Sequence, residues 1–97
     1  MEFIFEIRDK TGRMIYLTPE RYKHILKHPE MHNSLEEIKE TIAFPHKIIV
    51  CPIDENIRYY YRHYKNKKSK AKYLRLVIKY LNGRGFIITA HYTNKPK

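Results

Sequence analysis

Six histidines are spread along this chain: His24, His28, His32, His46, His63 and His91. Imidazole is the side chain whose unperturbed proton exchange falls closest to neutral pH. Two histidines about one phosphate can therefore run a metal-independent transphosphorylation of RNA. One takes the proton of a 2′-hydroxyl, the other protonates the leaving oxygen, and cations hold the charged phosphorane between them. His24 and His28 stand at i, i+4 spacing, which places them one above the other on a helix. That spacing is also found in zinc-binding helices, but the Glu that should follow the first histidine and a third ligand at suitable distance are both missing. Neither a metal nor another cofactor is expected. The plainer role of a histidine next to Pro29 is to cap carbonyls and complement the dipole at a helix C-terminus.

A second group sits near the C-terminus. Thr89 and His91 lie two residues apart on a predicted strand, with Arg75 on the neighbouring one, and an ordinary solvated sheet face would look the same. Arg58, Tyr60 and Arg62 share one side of a further strand, while Tyr59, Tyr61 and His63 share the other. Alternation alone does not choose which side is buried. The loop carrying Lys65, Lys67, Lys68, Lys70 and Lys72 reads as a solvated basic finger, or as a phosphate contact that adds affinity without sequence specificity. Cys51 lies in an apolar strand and reads as core.

These residues sit in a lopsided field. All ten carboxylates lie within the first 55 residues, and the remainder holds twelve Lys and Arg with no acid. The formal net charge is +10, and phosphate backbone is the usual partner of such a one-sided field. Tyrosines interleaved with the basic groups suit unpaired nucleic acid, whose bases can stack on rings. With 97 residues the chain makes one domain. One cysteine excludes an internal disulfide and fits a reducing cytoplasm. No signal peptide and no membrane span are expected.

The elements that must position these groups follow from hydrophobic period. Phe3 to Arg8 and Met14 to Leu17 read as strands joined by the turn Asp9-Lys10-Thr11-Gly12. Thr18-Pro19-Glu20 starts a helix that His28-Pro29 should stop. Ser34 with Glu37 reads as a capping box opening a second helix that ends before Pro45. Four strands follow, Lys47 to Cys51, Arg58 to Lys65, Lys72 to Leu81 and Gly85 to Thr93, the last two joined by a tight turn at Asn82-Gly83-Arg84. Alternation assigns Leu74, Leu76, Ile78 and Tyr80 to the core face, together with Phe86, Ile88, Ala90 and Tyr92. The opposite face takes Arg75, Val77 and Lys79 with Ile87, Thr89, His91 and Thr93. The expected class is α+β, an N-terminal hairpin and two helices packed on one face of a four-stranded antiparallel sheet.

The runs IYLTPERYKHILKHPEM, LEEIKETIAFPHKI, a Tyr/Arg strand, YLRLVIKY and GFIITAHYT resemble, in that order, the phage-associated branch of the barnase–EndoU–colicin–RelE-like (BECR) nucleases. The likeness spans about Ile15 to Thr93. It implies two helices against a four-stranded antiparallel sheet and metal-independent cleavage of RNA, such as tRNA or mRNA. It also implies a toxin's role, with a neighbouring acidic antitoxin as partner. By motif position it points to His24, His28, Thr89 and His91, to Arg58, Tyr60 and Arg62, and to Lys72 and Arg75. Glu30 is the carboxylate that the sequence places near the histidines. The alternative expectation is a non-catalytic RNA- or ribosome-binding module on the same fold.

Overall fold

In a computed structural model, residues 2–65 and 72–94 are described. The N-terminal hairpin forms as expected, β1 (Phe5–Arg8) against β2 (Met14–Leu17), closed by a turn in which Gly12 takes a positive φ of 86°. The turn is built on Asp9, whose Oδ1 accepts from the Thr11 and Arg13 backbone N–H groups and from the Thr11 hydroxyl. Thr18 caps α1 (Pro19–Ile25), its Oγ1 accepting from the Arg21 N–H at 3.2 Å. The helix ends at Ile25, short of His28. His28 instead caps a separate 3-10 turn, Pro29–Met31, so it does not stack on His24.

Asn33, at φ 65°, turns the chain into α2 (Leu35–Ala43). The expected capping box is absent. Ser34 makes no cap hydrogen bond, and its hydroxyl donates to the Glu30 carbonyl at 3.4 Å. Four strands follow, β3 (Lys47–Val50), β4 (Ile57–His63), β5 (Tyr73–Leu81) and β6 (Arg84–Thr93). Asn82 and Gly83, at φ 54° and 76°, form the two-residue turn between the last two.

The four-stranded antiparallel sheet is corrected in one respect. The sheet has six strands in the order β1-β2-β6-β5-β4-β3 and is mixed, because β2 pairs in parallel with β6 through Ile15↔Gly85 and Tyr16↔Phe86. The hairpin thus extends the sheet. Period shows that β2 is a strand with one buried side, but not which neighbour it pairs with. Gly85 makes this pairing possible, since a Cβ there would lie 2.4 Å from Ile15 Cδ1.

The helices lie on one face. Ile25, Met31, Ile38 and Ile42 are buried in a single cluster with Ile15, Leu17, Tyr60, Leu74, Leu76, Ile78 and Ala90. Leu74, Leu76, Ile78 and Tyr80 face this core as expected. The expectation for β6 needs a second correction. A bulge leaves Ile88 without a partner, since Val77 faces Thr89 while Ile78 faces Ile87. Parity therefore flips within β6. Ile87 is buried, Phe86 stacks on Tyr16 on the far face, and Ala90 returns to the core. A one-residue insertion moves every later side chain to the other face, and plain alternation cannot see it. No helix among the described residues is long and apolar enough to cross a membrane.

Candidate active site on the helix-free sheet face

The bulge decides what stands beside Arg75. With it, His91 is the direct cross-strand neighbour of Arg75, Arg75 of Tyr61, and Tyr61 of Lys47. These four side chains form a row across β3, β4, β5 and β6 on the face turned away from the helices. Directly opposed residues hold their Cβ atoms about 4.5–5.5 Å apart. A parallel row on one side holds Tyr59, Val77 and Thr89, and one on the other side holds His63, Tyr73 and Thr93.

Arg75 is the electrophilic centre of this face. Its Cζ stands 4.3 Å from the centre of the Tyr59 ring, a cation–π contact that fixes the guanidinium. Its Nε is buried and has no hydrogen-bond partner among the described residues. A buried cationic donor left unmatched is costly, and an oxyanion lowers that cost. Beside it, the His63 and Tyr73 rings lie 4.8 Å apart.

His91 is half-buried, and its proton affinity is depressed below the ordinary histidine value of 6.5. Burial is the largest cause, followed by the positive fields of Arg75 and His28, with Glu30 opposing them. His91 is therefore a free base at neutral pH. The same influences show how the chain assembles the site. α1 and the 3-10 turn pack on β6, which brings His28 and Glu30 within electrostatic reach of His91. His28 Nδ1 lies 3.9 Å from Glu30 Oε1, and both side chains are about half exposed.

The sequence-predicted residues divide between two faces. Arg75, Thr89 and His91 come together, with His28 approaching from the turn. His24 does not join them; it lines an exposed hollow on α1 with Glu20, Arg21, Lys23 and Lys27. Arg58, Tyr60 and Arg62 point to the helix side, because Tyr60 is paired with Leu76. Tyr60 is 0% exposed and donates its hydroxyl to Asp9 Oδ2, so its place among the site residues to which the resemblance points is corrected: no base can reach the ring. Arg62 is held by Glu40 (Nε to Oε1, 3.3 Å), by the Phe44 carbonyl (2.6 Å) and by contact with His46. It joins α2 to β4.

Tyr64 donates to the same Glu40 carboxylate at 2.7 Å. Burial, then that hydrogen bond, pushes the Tyr64 phenol well above its usual range. The Glu40 carboxyl is lowered by the Tyr64 hydrogen bond first and by the Arg62 charge as well, though desolvation opposes them. Lys65 is exposed just past β4, and Lys72 precedes β5, its carbonyl accepting from the Tyr64 N–H at 2.7 Å. Lys67, Lys68 and Lys70 lie outside the described residues.

Tyr61, Tyr73, Lys47 and Thr93 lie on this face and were not among the predicted site residues; Tyr61, 1% exposed, supports it from beneath. The signal for them was the core parity of β5, which becomes informative for β4 and β6 only once register is known. No protein family, no curated protein and no solved structure matches the chain.

Proposed function

We propose that the helix-free face is the active surface of a metal-independent endoribonuclease that cleaves by transphosphorylation to a 2′,3′-cyclic phosphate. The observation that carries this reading is the pairing of half-buried His91, its proton affinity lowered, with Arg75, whose buried Nε–H lacks a hydrogen-bond partner among the described residues. His91 takes the 2′-hydroxyl proton. Arg75 stabilises the charge that develops on the phosphorane, the contribution expected of a preorganised donor in a partly dry site. His28, flanked by Glu30, returns a proton to the departing 5′-oxygen. Thr89 and Thr93 border the base on β6, and the rings of Tyr59 and Tyr73 offer stacking surface beside the cut. Lys65 and Lys72 extend positive potential along the substrate backbone.

The charge distribution supports a toxin's role in which an acidic antitoxin covers this basic face, since complementary potential steers association and blocks substrate together. A second reading, RNA binding without cleavage, draws on the ring ladder at the other end of the same face. Phe3 and Tyr16 have centroids 4.6 Å apart, and Tyr16 and Phe86 5.4 Å. Replacing His91 with Ala separates the two. Under the first reading cleavage falls at least about 100-fold, the usual worth of a positioned base, while RNA affinity is retained. Wild-type protein that binds RNA salt-dependently but leaves it intact favours the second.

A further inference from the structure

A second cationic centre lies on the opposite face, and the cleavage reading makes no use of it. Arg13 leaves the hairpin turn, and Arg58 rises from the helix side of β4 beside Ile78. Both reach the same ring: Arg13 Cζ is 4.9 Å and Arg58 Cζ 5.0 Å from the centre of Tyr80. The two guanidiniums cannot stand further apart than those distances together, so they repel within the ~10 Å Debye length of 0.1 M salt. Among the described residues neither forms an ion pair. Asp9, which holds the hydroxyl of that same Tyr80, is already saturated. It accepts from the Thr11 and Arg13 backbones and from the hydroxyls of Thr11, Tyr60 and Tyr80. Those hydroxyls spend their protons on Asp9, so the guanidiniums are the free donors here.

Between them opens a cavity of about 180 Å³ lined by Thr11, Arg13, Ile48, Arg58, Tyr60 and Tyr80. Its position is rigid on three sides. Asp9 orders the turn that carries Arg13, β4 fixes Arg58, and the Tyr80 hydroxyl is anchored on Asp9 at 2.9 Å. Two planar forks held against one ring and facing a shared cavity present more N–H donors than the two oxygens of a carboxylate can use. A tetrahedral phosphate, with three or four acceptor oxygens and up to two charges, matches them.

We propose that Arg13 and Arg58 form a phosphate-binding site on the helix side of the sheet, separate from the His91 surface. Five residue steps along β5 separate Arg75 from Tyr80, roughly 17 Å of strand, and the side chains point to opposite faces. The phosphate can come free, as in a small metabolite, or as the terminal group of an RNA.

The test is a titration of the full chain with inorganic phosphate, followed residue by residue through backbone amide NMR shifts. It is repeated with Arg13→Gln, Arg58→Gln and, as a charge control, Lys79→Gln. The proposal expects saturable shifts centred on Thr11, Arg13, Ile48 and Arg58. Each Arg variant should weaken binding at least tenfold while Lys79→Gln changes it less than twofold. Shifts that spread over all basic residues without saturating, or equal affinity in the Arg and Lys variants, overturn it. Arg13 sits on an exposed turn, so Arg13→Gln carries the test if Arg58→Gln does not fold. Two short RNAs of one sequence, with a 5′-phosphate or a 5′-hydroxyl, then identify the source. Tenfold tighter binding of the phosphorylated RNA at these residues assigns the site to an RNA end. Equal binding of both RNAs, with inorganic phosphate still saturating, assigns it to a free phosphate.

Discussion

Replacing Asp9 with Ala should be among the most damaging single changes that leave the helix-free face untouched. Asp9 is 6% exposed and carries five hydrogen bonds, two of them from the phenols of Tyr60 and Tyr80 in β4 and β5. A hydrogen bond to a charged acceptor contributes about 1.5–3 kcal/mol, and a buried polar group left unmatched costs as much again as its lost desolvation. The two phenols can still bond to one another, so the lower half of that range applies to them. With the loosened turn the loss comes to about 4 kcal/mol.

For a domain of this size each kcal/mol moves the melting temperature by roughly 4–8 °C, so Asp9→Ala should melt at least about 15 °C below the parent. Asp9→Asn should fall between them, because its amide oxygen still orders the turn. pH provides an internal check. Burial, the largest single influence, raises the Asp9 carboxyl, but hydrogen bonds from Tyr60, Thr11, the Arg13 backbone and Tyr80 together hold it below its ordinary 3.8. A depressed carboxyl stabilises the fold above its unfolded value, and that stabilisation is lost as pH falls through the folded one. The gap between parent and Asp9→Ala should therefore be full at pH 6 and shrink below about pH 3.8. A melt of Asp9→Ala within about 4 °C of the parent at pH 6 refutes the reasoning.

Other consequences are simpler to state. Gly85→Ala sets a methyl 2.4 Å from Ile15 Cδ1 and about 3 Å from Ile78 and Tyr80; overpacking of this kind costs about 1–3 kcal/mol, readable in a urea midpoint. Arg62→Ala frees the end of α2 and should cost about 1–2 kcal/mol without lowering specific cleavage activity in the folded fraction, since Arg62 lies on the helix side. Because His91 titrates below 6.5, the acid limb of kcat/KM should lie below that value. Glu30 raises the His91 proton affinity, so Glu30→Gln should move the limb to lower pH. A limb that ignores this change assigns the titration to another group.

Much of this fold was legible in local chemistry. The Thr18-Pro19 start, the Asp9 turn, the Asn82-Gly83 hairpin and the apolar side of β5 each follow from residue types whose preferences act within a few positions. What escaped were long-range choices. Parallel pairing of β2 with β6 depends on Gly85 admitting Ile15, and nothing near Gly85 in sequence announces it. The bulge at Ile88 inverted the apparent face of Phe86 and Ile87 while leaving that of Ala90 and His91 intact. Thr89 and His91 were thus placed correctly beside Arg75. The resemblance grouped Arg58, Tyr60 and Arg62 with them, while alternation left the side of β4 open, because it is set by the register of β4 on β5. The His24–His28 pairing failed for a local reason: α1 stops at Ile25, three residues before the second histidine.

Whether His91 and Arg75 make the helix-free face a metal-independent ribonuclease is decided by incubating total cellular RNA with the purified protein in excess EDTA and assaying the product ends for 2′,3′-cyclic phosphate. The expected result is discrete fragments with cyclic-phosphate ends, lost with His91→Ala or Arg75→Ala and retained with His24→Ala. Intact RNA, or fragments that persist unchanged in the His91→Ala protein, would contradict it.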